Sequence, residues 1–103
     1  MLPYLIFGQI YYQLLEALPK VAIVILNWNG KSFLQQFLPS VLRSTYRNID
    51  LIVADNGSTD DSVSFLMEHF PAIRIIRLGQ NFGFAQGYNV CLKEVEAKYY
   101  ILL

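Results

Sequence analysis

Six consecutive apolar residues, Val21 to Leu26 (VAIVIL), constrain this chain more than any other stretch. Four of the six are β-branched, and a run of that kind is a strand covered on both faces, as in parallel sheets. Helical spacing follows at once, with Phe33, Leu34, Phe37, Leu38, Val41 and Leu42 on one face and Pro39 placed to kink it. The same alternation then repeats. IDLIVA (49–54) is a second strand, and Val63, Leu66, Met67 and Phe70 form a second helical face that Pro71 closes. AIRIIRL (72–78) is a third strand. Phe84, Tyr88, Cys91, Leu92 and Val95 mark a third helix within 83–97, and YYILL (99–103) begins a fourth strand. The order β-α-β-α-β-α-β implies right-handed crossovers and an α/β fold with a mostly parallel sheet and flanking helices.

Ligands of such sheets bind beyond the carboxyl ends of the strands. Three polar clusters fall there: Asn27, Trp28, Asn29 and Gly30 after the first strand, Asp55 to Ser58 after the second, and Gly79 to Gly83 after the third. In the stretch IVADNGSTDDSV (52–63), Asn56-Gly57 would favour a hairpin if alternating hydrophobics flanked it, but a helical pattern follows instead. Strand, loop and helix is the reading. Ser58 with Asp61 fits a capping box, with Asp60 and Asp61 in the first helical turn. Capping leaves Asp55 and Asn56 unexplained. An aromatic plane beside a hydrogen-bond acceptor suits a pyrimidine, whose N–H lies between two carbonyls, and Trp28 with Asp55 or Asn56 supplies both. The plainer alternative is an Asx-type turn at Asp55-Asn56 with Trp28 plugging the sheet edge.

Composition narrows the partners. Eight basic and eight acidic residues in 103 give no net charge, which argues against a nucleic-acid partner. No P-loop sequence is present, the first strand is not followed by G-x-G-x-x-G, and the chain offers no His/Cys cluster for zinc, since His69 and Cys91 stand alone. A lone cysteine on an apolar helical face reads as core packing, and its lack of a partner fits a reducing, cytoplasmic compartment. His69 near a helix end reads as a dipole contact. The sequon at Asn56 has no export signal with it and is taken as accidental.

The segments VAIVILNWNG (21–30), LIVADNGSTDDS (51–62), NFGFAQGYN (81–89) and the closing YYILL resemble the successive landmarks of the amino-terminal half of family 2 glycosyltransferases, in their rhamnosyltransferase-like branch. The resemblance covers residues 20–103. It implies a glycosyltransferase-A, Rossmann-like fold in which the tip of the first strand (Asn27 and Trp28) and the acidic loop after the second hold the base and ribose of a UDP- or dTDP-sugar. Trp28 stands where the family has a Tyr that packs on the base. Asp55-Asn56 stands where the family has an acidic pair, one member of which accepts the pyrimidine N–H. The glycine-rich loop at Asn81 to Gly83 approaches the nucleotide, with Gly83 permitting close backbone approach.

The resemblance further implies inverting transfer to a cell-surface polysaccharide or glycolipid acceptor, with a divalent metal (Mg or Mn) in the full-length enzyme. In the family the strand beginning YYILL runs into a D-x-D metal motif, and the catalytic base lies further on. This chain ends at Leu103, so the expectation is a nucleotide-binding half that is inactive alone, with no catalytic and no metal-ligating residue of its own.

Residues 1–19 fall outside the resemblance. Between Pro3 and Pro19 the sequence is apolar except for Gln9, Gln13 and Glu16, which share one helical stripe. It is shorter than the roughly 20 apolar residues of a membrane span and lacks the basic start and cleavage site of a signal peptide. A short packed helix is the first reading. An interfacial anchor at the cytoplasmic face of a membrane is the second. Two other classes compete for the whole chain: a non-catalytic flavodoxin-like module, and an interaction or membrane-associated piece. Receiver modules of the flavodoxin type gather acids after strand one, where this chain has Asn27-Trp28-Asn29.

Overall fold

The computed structural model describes residues 8–11, 13, 14 and 17–103. Four strands form one parallel sheet: β1 (Val21–Asn27), β2 (Ile49–Asp55), β3 (Arg74–Arg77) and β4 (Tyr99–Leu102). Three helices connect them: α1 (Lys31–Leu42), α2 (Ser62–His69) and α3 (Phe84–Leu92). The order across the sheet is β3-β2-β1-β4. A flavodoxin-like sheet would seat β3 beside β1, whereas the dinucleotide-binding type has the order seen here. β1 is therefore interior, and its neighbours β2 and β4 flank the point where the winding reverses.

Two apolar layers cover the sheet. Ala22, Val24, Ile52, Ala54 and Ile76 pack against Tyr88 and Cys91 of α3 on one face, while Val53 and Ile73 pack with Leu34, Leu38 and Leu66 of α1 and α2 on the other. Neighbouring strand residues alternate between these layers, which is why β1 from Val21 to Leu26 and β2 from Leu51 to Ala54 are apolar without a break. Burial pushes both the Cys91 thiol and the Tyr88 phenol above their usual ranges, so both stay protonated near neutrality. Cys91 is a packing residue.

Several helical faces are narrower than their spacing predicts. In α1 only Leu34 and Leu38 are buried, while Phe33 and Phe37 are 69% and 50% exposed and stack on each other with centroids 6.0 Å apart. One i, i+4 pair is all that a short helix lying on a twisted sheet presses into it, and the flanking apolar residues face outward. Met67 and Phe84 are likewise exposed, at 63% and 76%. The helix α1 runs through Pro39, which withholds one N–H from the helical ladder, and ends three residues later at Leu42. Strand β3 is shorter than the 72–78 run, and α3 stops at Leu92 with a turn closed by Glu94 N–H to the Cys91 carbonyl.

At the amino ends of the strands, Asn48 donates to the Leu18 carbonyl (2.7 Å) and Tyr46 to that of Pro19 (2.5 Å). Residues 8–11, 13, 14 and 17 are helical. Of the stripe Gln9, Gln13 and Glu16, the first two are exposed and Glu16 lies outside the described residues, as do residues 1–7. Among the described residues no helix is long and apolar enough to cross a membrane.

Candidate functional site

Strands β1 and β2 each end on their one polar rim residue, and the parallel register sets Asn27 opposite Asp55 on the last rung. The two side chains then lie on the same side of the sheet. The Asn27 amide donates to Asp55 Oδ1 (3.1 Å) and to Ser58 Oγ (3.2 Å), while Asn27 Oδ1 accepts from Gly30 N–H (3.1 Å). Asp55 Oδ2 takes the Ser58 N–H (3.1 Å), the Asx-type turn expected of this loop. Both residues are 4% exposed, so the carboxylate is held by neutral donors alone.

The loop after β1 is tied to the loop after β2 by Asn29. Its φ of 51° is left-handed, a region that Asn tolerates better than most residues. That turn aims its Oδ1 at the N–H groups of Thr59 (2.7 Å) and Asp60 (3.0 Å), and its own N–H donates to Ser58 Oγ (2.9 Å). Ser58 is thus engaged across the rim, and the expected Ser58–Asp61 capping box does not form. Helix α2 starts later, at Ser62, with no acid in its first turn. Asp60 Oδ1 instead accepts from Ser62 N–H (3.0 Å) and the Ser62 hydroxyl, and Asp61 pairs with Lys31 (2.7 Å). The Lys31 ammonium holds the Asp61 carboxyl below its ordinary 3.8.

The third loop closes over the first two. Asn56, 2% exposed, donates to Asn81 Oδ1 and to the Gly83 carbonyl (3.1 Å each) and accepts from Phe82 N–H (3.0 Å). Gly57 has φ +78°, and a Cβ there would sit 2.7 Å from the Gln80 carbonyl carbon. Only glycine lets the two backbones cross so closely. Gly83 opens α3 at φ 80°, ψ −176°, a conformation nearly confined to glycine, with open space where a Cβ would be. Trp28, one residue past Asn27, is 54% exposed, and an apolar cavity of about 500 Å³ opens beside it, walled by Phe33, Phe37, Leu38 and Leu103 among others.

The model of the family described as glycosyl transferase family 2 matches residues 22–103. The chain belongs to glycosyl transferase family 2. One relative is the N-acetylglucosaminyl-diphospho-decaprenol L-rhamnosyltransferase of Mycobacterium tuberculosis, 31% identical over 74 residues that span 72% of this chain and 23% of that enzyme. Two solved structures share the fold. TarS 1-349 of S. aureus in complex with UDP-GlcNAc superposes with a TM-score of 0.72 at 19% identity, covering 82% of this chain and 26% of TarS. The mannosyltransferase of Pyrobaculum calidifontis in complex with GDP-Man and Mn2+ gives 0.67 at 20% identity, covering 78% and 25%. The chain spans about a quarter of each. Its four parallel strands and flanking helices have the glycosyltransferase-A fold of these neighbours.

In family terms, the residues singled out from sequence separate into three settings. Asn27 and Asp55 share a buried side-chain hydrogen bond that Asn56 joins only through its backbone N–H to the Asn27 carbonyl (2.8 Å), Trp28 stands exposed at its edge, and Gly83 lies across the rim on the loop that the Asn56 side chain holds. Asn29 went unnoticed as the bridge between loops. The second Asn of Asn-Trp-Asn-Gly carries no periodicity, and a loop residue directly before Gly is its only sequence signal. His69, exposed at the end of α2, packs against Phe65 (4.9 Å between ring centroids) away from the rim. Among the described residues no group of three His, Cys, Asp or Glu side chains could hold a metal ion.

Proposed function

We propose that residues 20–103 are the donor-binding part of an inverting glycosyltransferase that takes a sugar from a pyrimidine nucleoside diphosphate, UDP or dTDP, to a cell-surface polysaccharide or glycolipid acceptor. One observation carries the reading: the exposed Trp28 indole directly follows Asn27, whose amide holds the buried Asp55 carboxylate on the neighbouring strand tip, and an apolar cavity opens beside Asn27 and Trp28. Trp28 stacks on the base. Asp55 uses two of its roughly four lone-pair positions on Asn27 and Ser58, which leaves room for a base N–H. Asn27 fixes the Asp55 carboxylate, and the 81–83 loop lies against the ribose and diphosphate. The complexes of TarS with UDP-GlcNAc and of the mannosyltransferase with GDP-Man and Mn2+ support a nucleotide-sugar donor and a divalent metal. The contacts proposed for this chain are to base, ribose and the loop-side diphosphate oxygens. Association of residues 1–19 with the cytoplasmic membrane face is proposed on their apolar sequence alone.

Calorimetric titration with UDP, dTDP and GDP tests the reading. Wild type should bind the two pyrimidine nucleotides. Trp28→Ala should lose about 1–3 kcal/mol of stacking. Asp55→Ala should lose about 1–3 kcal/mol through the unmet hydrogen bond. Equal UDP affinity in wild type and both variants would refute it.

A further inference from the structure

The buried rim holds two adjacent candidates for contact with the base, Asp55 and Asn56, and their hydrogen bonds differ in kind. Asp55 is a pure acceptor with capacity left over. Asn56 is occupied on every N–H it has: one reaches Asn81 Oδ1 and the other the Gly83 carbonyl, while its oxygen takes the Phe82 N–H. These bonds run 25 to 27 residues along the chain, from a 2% exposed side chain to an exposed loop. Asn81 Oδ1 in turn accepts the Gly83 N–H (2.8 Å), so the turn at 81–83 is held from inside and from within itself.

We infer that Asn56 is a positioning residue that clamps the 81–83 turn over the nucleotide site, and that Asp55 alone presents the acceptor to the base. The assignment rests on the donor-binding reading above. Its chemistry is directional. Position 56 must donate, because both groups facing its amide nitrogen are oxygens that only accept in this arrangement. Position 81 must accept. An Asp at 56 would keep the acceptor for Phe82 N–H and set a carboxylate oxygen against the Gly83 carbonyl and Asn81 Oδ1, so the turn would be pushed off. An Asp at 81 would keep both of the bonds that Asn81 accepts.

This polarity separates clamping from reading the base. If Asn56 accepted the base N–H, Asn56→Asp would hold UDP as well as wild type or better, since the variant keeps an acceptor and adds charge. If Asn56 clamps, Asn56→Asp should bind UDP at least about tenfold more weakly, and exchange of the Phe82 and Gly83 amides, followed by NMR, should quicken at least about tenfold. The Val24 and Ile52 amides in the sheet should exchange as before, which a general loss of stability would not allow. Asn81→Asp should match wild type in the exchange of the Phe82 and Gly83 amides, since its carboxylate keeps both accepted bonds. Asn81→Ala, on the exposed loop where folding is not at risk, should weaken binding and speed exchange in the same direction as Asn56→Asp. UDP binding by Asn56→Asp at or above the wild-type affinity overturns the inference, as does unchanged exchange at Phe82 and Gly83. If wild type binds neither UDP nor dTDP, the donor reading fails, and the exchange rates by themselves decide whether Asn56 holds the turn.

Discussion

Replacing Gly57 by alanine should disturb this fold more than the same change at Gly79 or Gly87. The new Cβ would lie 2.7 Å from the Gln80 carbonyl carbon and 2.8 Å from both Asn81 N and Gln80 Cα. Ordinary contact begins near 3.4 Å, so the 80–81 backbone must retreat by about 0.7 Å. The loop cannot retreat freely, since Asn56 grips it through bonds of 3.0 to 3.1 Å that would stretch beyond useful length. Two such bonds lost at about 1 kcal/mol each, added to about 1–2 kcal/mol for a left-handed alanine, give roughly 3–4 kcal/mol. Gly79 is the control. Its φ is +85° with nothing within 4 Å of a Cβ, so Gly79→Ala should cost only the backbone strain of about 1–2 kcal/mol. Gly87→Ala meets the methyl ends of Leu26 at 2.9 and 3.1 Å, which can rotate aside, and Asn56 Nδ2 at 3.1 Å, which its two hydrogen bonds hold in place; about 1 kcal/mol of helix propensity offsets part of that crowding, so its cost should fall below that of Gly57→Ala. Urea unfolding followed by circular dichroism would rank the three. If Gly57→Ala proved as mild as Gly79→Ala, the close crossing of the two loops would not be a constraint and the reasoning would fail.

Two further outcomes follow from the same geometry. The Asp61 carboxyl, held below 3.8 by Lys31, contributes stability above pH 4 that is lost as the pH falls from 3.8 through its lowered folded value. Lys31→Met should therefore flatten the acid limb of a stability-against-pH curve, with only a small change because the pair is largely exposed; an unchanged acid limb would contradict the pairing. Leu38 is fully buried and also walls the cavity beside Trp28, so Leu38→Ala should lower the unfolding free energy in urea by about 2–5 kcal/mol, and a loss below 1 kcal/mol would place that side chain outside the core.

The order of elements was legible in the amino-acid sequence because it is written in local periodicity. VAIVIL (21–26) and LIVA (51–54) lack polar interruptions since α1 and α2 cover one face of the sheet and α3 the other, and the strands end at Asn27 and Asp55, where the apolar runs end. The polar clusters reached one rim for the same reason. A parallel sheet sends every strand's carboxyl end the same way.

What the tertiary structure decided is which partner each polar side chain found. Ser58 and Asp61 have capping-box spacing, yet Ser58 joins Asn27 and Asn29 from 31 and 29 residues away, and the helix begins at Ser62 instead. Asn56 looked interchangeable with Asp55 until the third loop came to rest on its amide. Phe33 and Phe37 share a helical face with Leu34 and Leu38 in sequence, but only the latter pair meets the sheet. Periodicity fixes the direction of a side chain about its own helix or strand, while the strand order β3-β2-β1-β4 and the hydrogen bonds between loops 25 to 31 residues apart depend on closing long stretches of chain, whose cost no local pattern records.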